Sequence, residues 1–558
     1  MLRRGLADRG ARLRRYAVGA LAVLSITALG IAMIAHATLD PDESQHLHAA
    51  WLVGQGQVPY ADFWEHHTPL LYYALAPVTR AFAERPAVYF AGRVIMSLTA
   101  VATLGVVAAL GRRLGPGVGP AAAALLAVQL RFLQHSIQVR PDGPALLTWL
   151  AAVLMLVRWR ERGGGWRLWA AGVWLGITAT LTPKAALVGL GAGAVVLIGS
   201  SGPALAPGPM ARSLAWLAGG SAVPMAALLA WLAWIGGARA LQGFWLDIIV
   251  MNLKFPDFVK QTPVGAESTG FVALALVGIA AAIRRSGLSI VRDPFHGPVL
   301  IPALIVSAIL ALPSTPAVYA YAWFPVVASA SLYAGQGLMM AFERGRTRGG
   351  TTPARLASIA VIGAFVAPAV VAGVLAFPRN SDNEADFSLM RRELDYACPG
   401  EAVVDSRPLA VFRPTALRYH ALPLGVRIWI ANGTIPADSL VGDLERARAP
   451  VGVLDGRLRR VGGSVAQFIT AHYMREPDGL LVAGATLTLR GHLGETDVDV
   501  LVPGLHHVFL DPGVRAAIDG VDTRSAAVDL TAGRHQISWS GGPGTLRLML
   551  APCAQRLG

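Results

Sequence analysis

Ionisable residues collect beside apolar segments in the first third of the chain. The stretch DPDESQHLHAAW begins at Asp40, directly after an apolar run, and carries three carboxylates, on Asp40, Asp42 and Glu43. Charged groups close to lipid are costly and are more often functional than decorative. A carboxylate in this place could serve as a general base, or could share a divalent cation with a second carboxylate.

Further along, two outer segments and one apolar stretch supply the groups that such a centre would need. His66 and His67 lie in ADFWEHHTPLL, Arg140 and Asp142 in VRPDGPALLTW, and Lys184 in TLTPKAAL. The cationic and imidazole groups could hold a phosphate, and the second carboxylate could be a metal ligand. This set suits the transfer of a sugar from a lipid phosphate, in which a carboxylate deprotonates the acceptor and cations stabilise the leaving group.

Each of these residues also has a structural interpretation. Asp142 opens an apolar segment, where a carboxylate can cap a helix. Lys184 could extend to lipid headgroups, the loop aromatics could form an interfacial belt, and Asp40 precedes a proline and is expected to cap or end a helix. A zinc site is a weaker alternative because no ligand spacing is compelling among the nearby histidines, His36, His46, His66 and His67.

The composition predicts a polytopic α-helical membrane protein. The 558 residues are 54% hydrophobic and 15% charged, which is too apolar for an ordinary soluble domain. The net charge of +14 comes from arginines between apolar runs; we read them as topology signals and headgroup contacts, not as a nucleic-acid surface. About eleven transmembrane helices are expected, near 16–38, 88–111, 118–135, 143–158, 166–182, 184–200, 211–236, 268–284, 297–312, 318–340 and 354–377.

The arginine bias of the loops sets the orientation and the domain organisation. It places the N-terminus in the cytoplasm and, after an odd number of spans, the residues beyond about 378 outside the inner (plasma) membrane. Residues 1–377 are therefore the predicted transmembrane domain. Short alternating stretches such as VGVLDG and LLVAGATLTLR predict an extracytoplasmic domain over 378–558, with an α/β part over 378–477 and a β-sandwich-like, β-rich part over 478–558.

Cys398 and Cys553 both lie in this tail. A disulfide between its two ends and a pair of unbonded thiols both remain open at the level of the sequence.

Several motifs together resemble a known family. PDESQHLHAAWLVGQGQVPYADFWEHHTPLLYYALAP is similar to the first outer loop of GT-C class membrane glycosyltransferases, and within that class to the bacterial protein-mannosyltransferase and aminoarabinose-transferase-like group. In that group an acidic pair follows the first span, then G...PY.DF and a P-L-x-Y-Y helix. RPDGPALLTW, LTPKAALVGLG and YAYAWFPVVASASLYAG resemble its later motifs in the same order, so the resemblance covers about residues 16–340.

The resemblance implies an inverting hexosyl or pentosyl transferase that moves a sugar from a polyprenyl-phosphate donor to a glycan, lipid or protein acceptor at the outer face of the membrane. Asp42 would be the catalytic base with Glu43 beside it, and Asp142 would be the second acidic residue. Asp142 and Asp42 would hold a divalent cation, Mg²⁺ or Mn²⁺. Membrane lipids are the other expected partners.

For the donor, the resemblance implies that Arg140 and Lys184 hold the lipid phosphate. Some relatives carry a lysine where this chain reads EHHTP, so His66 or His67 is expected to take over that phosphate contact. Pro183 before the lysine and Ala185 after it also depart from the pattern of the family.

A transporter or flippase of lipid-linked sugar is the main alternative. It predicts charged residues deep inside spans and broken helices at the midplane of the bilayer, whereas the charges here fall at the outer ends of helices. A membrane scaffold that only displays the tail would leave the outer acidic residues without a role.

Overall fold

The computed structural model describes residues 30–200, 207–256, 258–347, 381–523 and 527–557, with a few helical positions between 363 and 371. A helical half is followed by a tail of mixed α and β structure. The helices of the first half are α1 (Pro41–Gly54), α2 (Leu70–Ala81), α3 (Ala87–Gly111), α4 (Val118–Ala127), α5 (Leu130–Ser136), α6 (Asp142–Arg162), α7 (Gly165–Leu181), α8 (Ala185–Ser200), α9 (Pro207–Phe244), α10 (Thr269–Ser286), α11 (His296–Ala311) and α12 (Phe324–Thr347).

Within the described residues, four helical stretches are long and apolar enough to cross a membrane. These are Ala87–Leu114, Asp142–Arg162, Gly208–Lys254 and Thr269–Arg292, and Val118–Ala127, Ala185–Ser200 and His296–Ala311 are shorter apolar helices. The membrane class is thus supported, whereas the count of about eleven is not confirmed. The predicted spans at 16–38 and 354–377 fall mostly outside the described residues.

Two predicted spans differ from the structure in their course. The span at 118–135 is divided into α4 and α5, because the helix stops at Ala127 and restarts at Leu130. The span at 211–236 continues well beyond its predicted end. Gly237, with a φ of 60°, interrupts the helix there, and a π-helical turn and a short helix then carry the chain to Lys254.

The loop over 39–87, which the sequence predicts to be an outer loop, forms two helices, α1 and α2. The Asp40 side chain accepts a hydrogen bond from the Asp42 amide at 2.9 Å, and the Glu43 carboxylate accepts one from the Asp40 amide at 3.0 Å. This capping box, with Pro41 in the first turn, satisfies amides that have no partner inside the helix. The predicted capping role of Asp40 is confirmed, and α1 begins at a fixed point in the chain.

The tail begins with α13 (Ser381–Tyr396) and contains two sheets, in keeping with the predicted β-rich domain. One sheet has seven strands in the order β1-β2-β4-β11-β6-β9, with β3 paired to β4, and the other has the order β5-β10-β7-β8. Its remaining helices are α14 (Leu424–Ala431), α15 (Ala437–Ala447), α16 (Gly463–His472) and α17 (Cys553–Leu557). The strands are β1 (Val403–Asp405), β2 (Val451–Val453), β3 (Tyr473–Arg475), β4 (Leu480–Leu489), β5 (Leu493–Val500), β6 (Gly504–Leu510), β7 (Arg515–Ile518), β8 (Val521–Asp522), β9 (Ala527–Leu530), β10 (Gly533–Ser540) and β11 (Gly544–Leu550).

The long strand β4 joins the two parts of the tail. Its first residues pair with β2 and β3, and its later residues pair with β11. Among the strands that the structure describes, β1 and β2 pair in parallel and the other pairs are antiparallel. A disulfide between Cys398 and Cys553 links the end of α13 to the start of α17, so the structure selects the bonded one of the two alternatives.

The tail packs directly on the outer loop. Leu47 and Tyr72 of the loop share a buried core with Met390 and Phe412 of the tail. Hydrogen bonds cross the same boundary, for example from the ring Nδ1 of His48 to the carbonyl oxygen of Val411 at 2.8 Å. The tail is therefore held against the helices that carry the acidic motif.

Candidate active site

A cavity of about 630 Å³ lies between helix ends of the first half, the loop over 39–87 and the tail. It brings together every predicted site residue except Glu43; those lining it are Asp42, His66, His67, Arg140, Asp142 and Lys184. Side chains such as Leu146, Trp149 and Leu310 line another part of its wall. The cavity thus combines a charged region with an apolar one, as an amphipathic ligand would require.

Arg140 lies at the centre of the charged region. It precedes α6 and donates hydrogen bonds to Asp42 at 2.6 Å and to Asp40 at 3.2 Å. Its Nε is also 3.9 Å from a carboxylate oxygen of Asp142. The guanidinium stacks over the ring of Tyr321, 4.0 Å from the ring centroid, and this contact favours a cation. Arg140 therefore joins the two acidic motifs.

Lys184 reaches the same region from the turn between α7 and α8. Its ammonium group donates to Asp142 at 2.9 Å and lies 4.3 Å from the centroid of the Tyr321 ring. The two cations thus share one aromatic ring. Neither the snorkelling interpretation of Lys184 nor a simple capping role of Asp142 accounts for this pairing, since both side chains face the cavity.

The cations around Asp42 favour the ionised form of its carboxyl group. Burial alone would raise the pKa of its carboxyl group, but the charges of Arg140 and Arg457 outweigh burial and hold that pKa below its ordinary value. Its side chain is 32% exposed and lines the cavity. Asp42 is therefore an accessible carboxylate in a strongly cationic setting.

Glu43, the second residue of the predicted catalytic pair, does not line the cavity. Neighbouring residues of a helix project about 100° apart, so Asp42 faces the cavity while Glu43 faces α3. Both carboxylate oxygens of Glu43 accept hydrogen bonds from Arg93, at 2.8 and 2.7 Å, and both side chains are fully buried. Glu43 also accepts from the amide of Val139 at 3.2 Å. These contacts join the start of α1 to α3 and to the segment before Arg140.

Glu65 and the two histidines after it form a compact group of potential metal ligands. One ligand atom from each of Glu65, His66 and His67 lies within 4.8 Å of the others. The carboxylate of Glu65 is fully buried, and His67 Nδ1 lies 2.8 Å from it. This hydrogen bond and the neighbouring imidazoles hold the pKa of Glu65 well below its usual range, against the opposing effect of burial.

The carboxylates predicted as metal ligands are bound by side-chain cations instead. Asp42 is paired with Arg140 and Asp142 with Lys184. Among the described residues, Glu65, His66 and His67 form the cluster whose ligand atoms are close enough together to hold a single ion. The buried Nδ1 of His66 lies 3.4 Å from the Glu65 carboxylate and makes no hydrogen bond within the described residues, so it could act as a metal ligand.

Sequence reasoning missed several residues of this site. Tyr321 was inside a quoted motif, but nothing marked its ring as the platform for two cations. Arg93 stood alone in an apolar run, a signal that could have been followed. Arg427 and Arg457, two arginines of the tail that also line the cavity, carry no local signal.

Comparisons with known proteins agree with this architecture. Residues 66–234 match the model of the dolichyl-phosphate-mannose-protein mannosyltransferase family. The crystal structure of ArnT from Cupriavidus metallidurans bound to undecaprenyl phosphate is similar, with 11% identity and a TM-score of 0.53, covering 84% of this chain and 98% of ArnT. Its apo form gives 12% identity and a TM-score of 0.50 over 84% of this chain and 98% of ArnT.

An oligosaccharyltransferase from Archaeoglobus fulgidus, crystallised with Zn and sulfate, is 12% identical with a TM-score of 0.47, over 82% of this chain and 72% of its own. No curated protein sequence matches the chain. The likeness to ArnT concerns the fold, and the family match concerns a segment that includes His66, His67, Arg140, Asp142 and Lys184. The predicted resemblance is thereby confirmed: this chain has the fold of the GT-C class membrane glycosyltransferases.

Proposed function

We propose that this protein transfers a sugar from a polyprenyl-phosphate donor to a glycan, lipid or protein acceptor at the outer face of the membrane. The observation that carries the proposal is the single cavity in which Asp42, Arg140, Asp142 and Lys184 meet beside an apolar wall. The cations suit the donor phosphate, and the apolar wall suits the first part of its prenyl chain.

The proposed reaction is a single displacement with inversion at the anomeric carbon. The acceptor oxygen forms a bond to that carbon, and the bond between the carbon and the phosphate oxygen breaks. Asp42 takes the acceptor proton, and the lipid phosphate leaves with the negative charge. Arg140 and Lys184 stabilise that charge as it develops.

The ion pairs of Asp42 add a condition to this step. A carboxylate with a lowered pKa is a weak base, and Arg140 and Arg457 both lower the pKa of Asp42. A donor phosphate bound to Arg140 would offset part of that positive charge. The basicity of Asp42 would then rise once the donor is in place, so the proton would be taken only in the loaded site.

We assign the candidate metal site to Glu65, His66 and His67 in place of Asp42 and Asp142. Two imidazoles and one carboxylate suit a zinc-like ion better than Mg²⁺ or Mn²⁺, which prefer oxygen ligands. A divalent ion in this group would supply positive charge at the cavity wall. Element analysis of purified protein should find about one such ion per chain, lost in Glu65→Gln; metal-free wild-type protein, purified without chelators, would refute the assignment.

We also propose that the N-terminus lies in the cytoplasm and the tail outside, as the arginine bias suggests. A reporter enzyme that is active only outside the cytoplasm, fused after Gly558, should then be active. The same reporter fused after Arg113, in a predicted cytoplasmic loop, is the control and should be inactive. An inactive fusion at the end of the chain, with normal protein levels, would contradict the orientation.

The donor site can be tested by binding. Purified protein in nanodiscs should bind geranyl phosphate, a short soluble analogue of the donor lipid, and Lys184→Gln should weaken that binding on the order of tenfold because it removes one charged hydrogen bond. Arg112→Gln, an exposed arginine outside the cavity, is the matched control and should bind normally. Equal affinities in all three proteins would argue against the phosphate site.

The same protein separates the enzyme from the alternative of a transporter or flippase. In proteoliposomes that contain a radiolabelled polyprenyl-phosphate sugar, an enzyme should release free polyprenyl phosphate when its acceptor is present. A flippase would move the labelled lipid between leaflets with its sugar still attached.

A further inference from the structure

Two arginines of the tail extend the charged region of the cavity beyond the residues considered so far. Arg427 lies on α14, and Arg457 lies just after β2; both line the cavity together with Arg140 and Lys184. The tail therefore supplies part of the wall of the site with cationic side chains, in addition to covering it.

A strained elbow of the tail holds both arginines. Ala421 and Leu422 have φ values of 59° and 34° and are fully buried. Left-handed backbone is uncommon for residues other than glycine and persists only where the surroundings enforce it. The carbonyl oxygen of Leu422 accepts a hydrogen bond from Arg427 Nε at 3.1 Å, and that of Ala421 accepts one from Arg457 Nη1. The elbow thus fixes the direction of both side chains.

A second contact fixes the loop that carries Arg457. The carboxylate of Asp455 accepts hydrogen bonds from the amides of Arg457 at 3.0 Å and of Leu458 at 2.8 Å. Arg457 is therefore held both at its backbone and at its guanidinium. Such preorganisation lowers the entropy cost of binding a ligand.

Arg140 and Lys184 each form a short ion pair with a carboxylate, whereas Arg427 and Arg457 form none within the part of the chain that the structure describes. Arg457 lies 3.9 Å from Asp42, which Arg140 already binds at 2.6 Å. Across the described ranges, Arg427 has no carboxylate within ion-pair distance. Burial, then the like charges of Arg457 and Arg460, lower the pKa of Arg427, and the charge of Asp455 offsets only part of this effect. The one carboxylate within ion-pair distance of either tail arginine among the described residues, Asp42, is thus shared with Arg140, and such an excess of cations provides a potential that attracts an anion.

We propose that Arg427 and Arg457 form a second anion subsite on the tail side of the cavity, separate from the phosphate site of Arg140 and Lys184. The inference rests on the proposed function and names a further feature of its substrates: one of them carries a second phosphate or carboxylate group. That group belongs either to a diphosphate-linked donor or to the acceptor.

Binding measurements on full-length protein in nanodiscs can test the subsite. The variants are Arg427→Gln and Arg457→Gln, with Arg459→Gln as the matched control, because Arg459 is exposed and does not line the cavity. The probes are geranyl phosphate, geranyl diphosphate, and inorganic phosphate added to protein saturated with geranyl phosphate. Arg457→Lys keeps the charge, and it shows whether any loss comes from the charge or from misfolding.

Two results would support the subsite and distinguish its sources. A loss of about tenfold for geranyl diphosphate, with geranyl phosphate unchanged, assigns the second anion to the donor. A similar loss confined to inorganic phosphate on the saturated protein assigns it to the acceptor. In both cases Arg459→Gln should behave as wild type, and Arg457→Lys should retain most of the affinity.

Two other results would overturn it. Unchanged binding of all three probes would show that the arginines bind no anion, and an equal loss for all three would place them in the first phosphate site. The proposed function fails separately, through normal binding of geranyl phosphate by Lys184→Gln, whatever the tail variants do.

Discussion

The Asp42→Asn variant should lose at least about a hundredfold in the rate of sugar transfer, because removal of a general base typically has an effect of that size. Asparagine keeps the shape of the side chain and can still accept a hydrogen bond from Arg140. The variant should therefore fold and bind geranyl phosphate with little change. Turnover measured at saturating donor and acceptor, alongside donor affinity, separates the loss of chemistry from a loss of binding.

Two other carboxylates of the same loop, Asp62 and Asp40, serve as controls for this prediction. Asp62→Asn changes an exposed carboxylate of the same loop, which accepts a hydrogen bond from the Val58 amide at 2.8 Å, and should leave turnover near normal. Asp40→Asn should reduce turnover only moderately, since asparagine is also a good helix cap. Near-normal turnover by Asp42→Asn, with Asp40→Asn inactive, would move the base to Asp40.

The sequence predicted much of the candidate site because a membrane reduces the number of possible arrangements. The segments with Asp42, Arg140 and Lys184 were all assigned to the outer ends of helices, and groups on one side of a thin layer are readily brought together. The motifs also lie in short stretches of chain. The cavity that they share is therefore consistent with an argument from topology and apolar periodicity alone.

The exact direction of neighbouring side chains could not be predicted in this way. Asp42 and Glu43 look equivalent in the sequence, and only the start of α1 at Pro41 decides which one faces the cavity. The break after Ala127 also falls inside a span that the apolar pattern predicts as continuous.

The cavity residues of the tail could not be predicted from the sequence for a different reason. Arg427 and Arg457 are more than 200 residues from Arg140 in the sequence, and their place depends on how the tail docks on the loop. Many other arginines of the chain look the same locally. The EHH run, by contrast, did carry a signal, since a carboxylate beside two imidazoles is a recognisable set of metal ligands.

The second large effect is expected at the buried pair of Glu43 and Arg93. All five N–H donors of the Arg93 guanidinium have acceptors: the two oxygens of Glu43 and three backbone carbonyl groups. Those carbonyls belong to Ile34, Ala37 and Thr38, at 3.1, 2.8 and 3.1 Å. This one side chain therefore ties α3 to the segment before α1.

Removing one partner leaves the other charge buried without a counter-ion. Arg93→Met and Glu43→Leu should each lower the free energy of unfolding by about 3–5 kcal/mol. Thermal unfolding of purified protein, followed by intrinsic fluorescence, should show a large fall in midpoint for each. The control is the surface ion pair of Arg113 and Glu161, whose Nε and carboxylate oxygen are 2.8 Å apart and whose side chains are 26% and 28% exposed. Arg113→Gln should change the free energy of unfolding by less than about 1 kcal/mol.

The double variant Glu43→Leu with Arg93→Met distinguishes a charge effect from a packing effect. With both charges removed, no uncompensated ion stays buried, so the double variant should be more stable than either single variant. It should still have low turnover, because Glu43 also accepts from the Val139 amide beside Arg140, and the leucine would release that segment. If the effects of the two single variants simply add, Glu43 and Arg93 do not stabilise the protein as a pair. If the double variant keeps full turnover, Glu43 does not position Arg140.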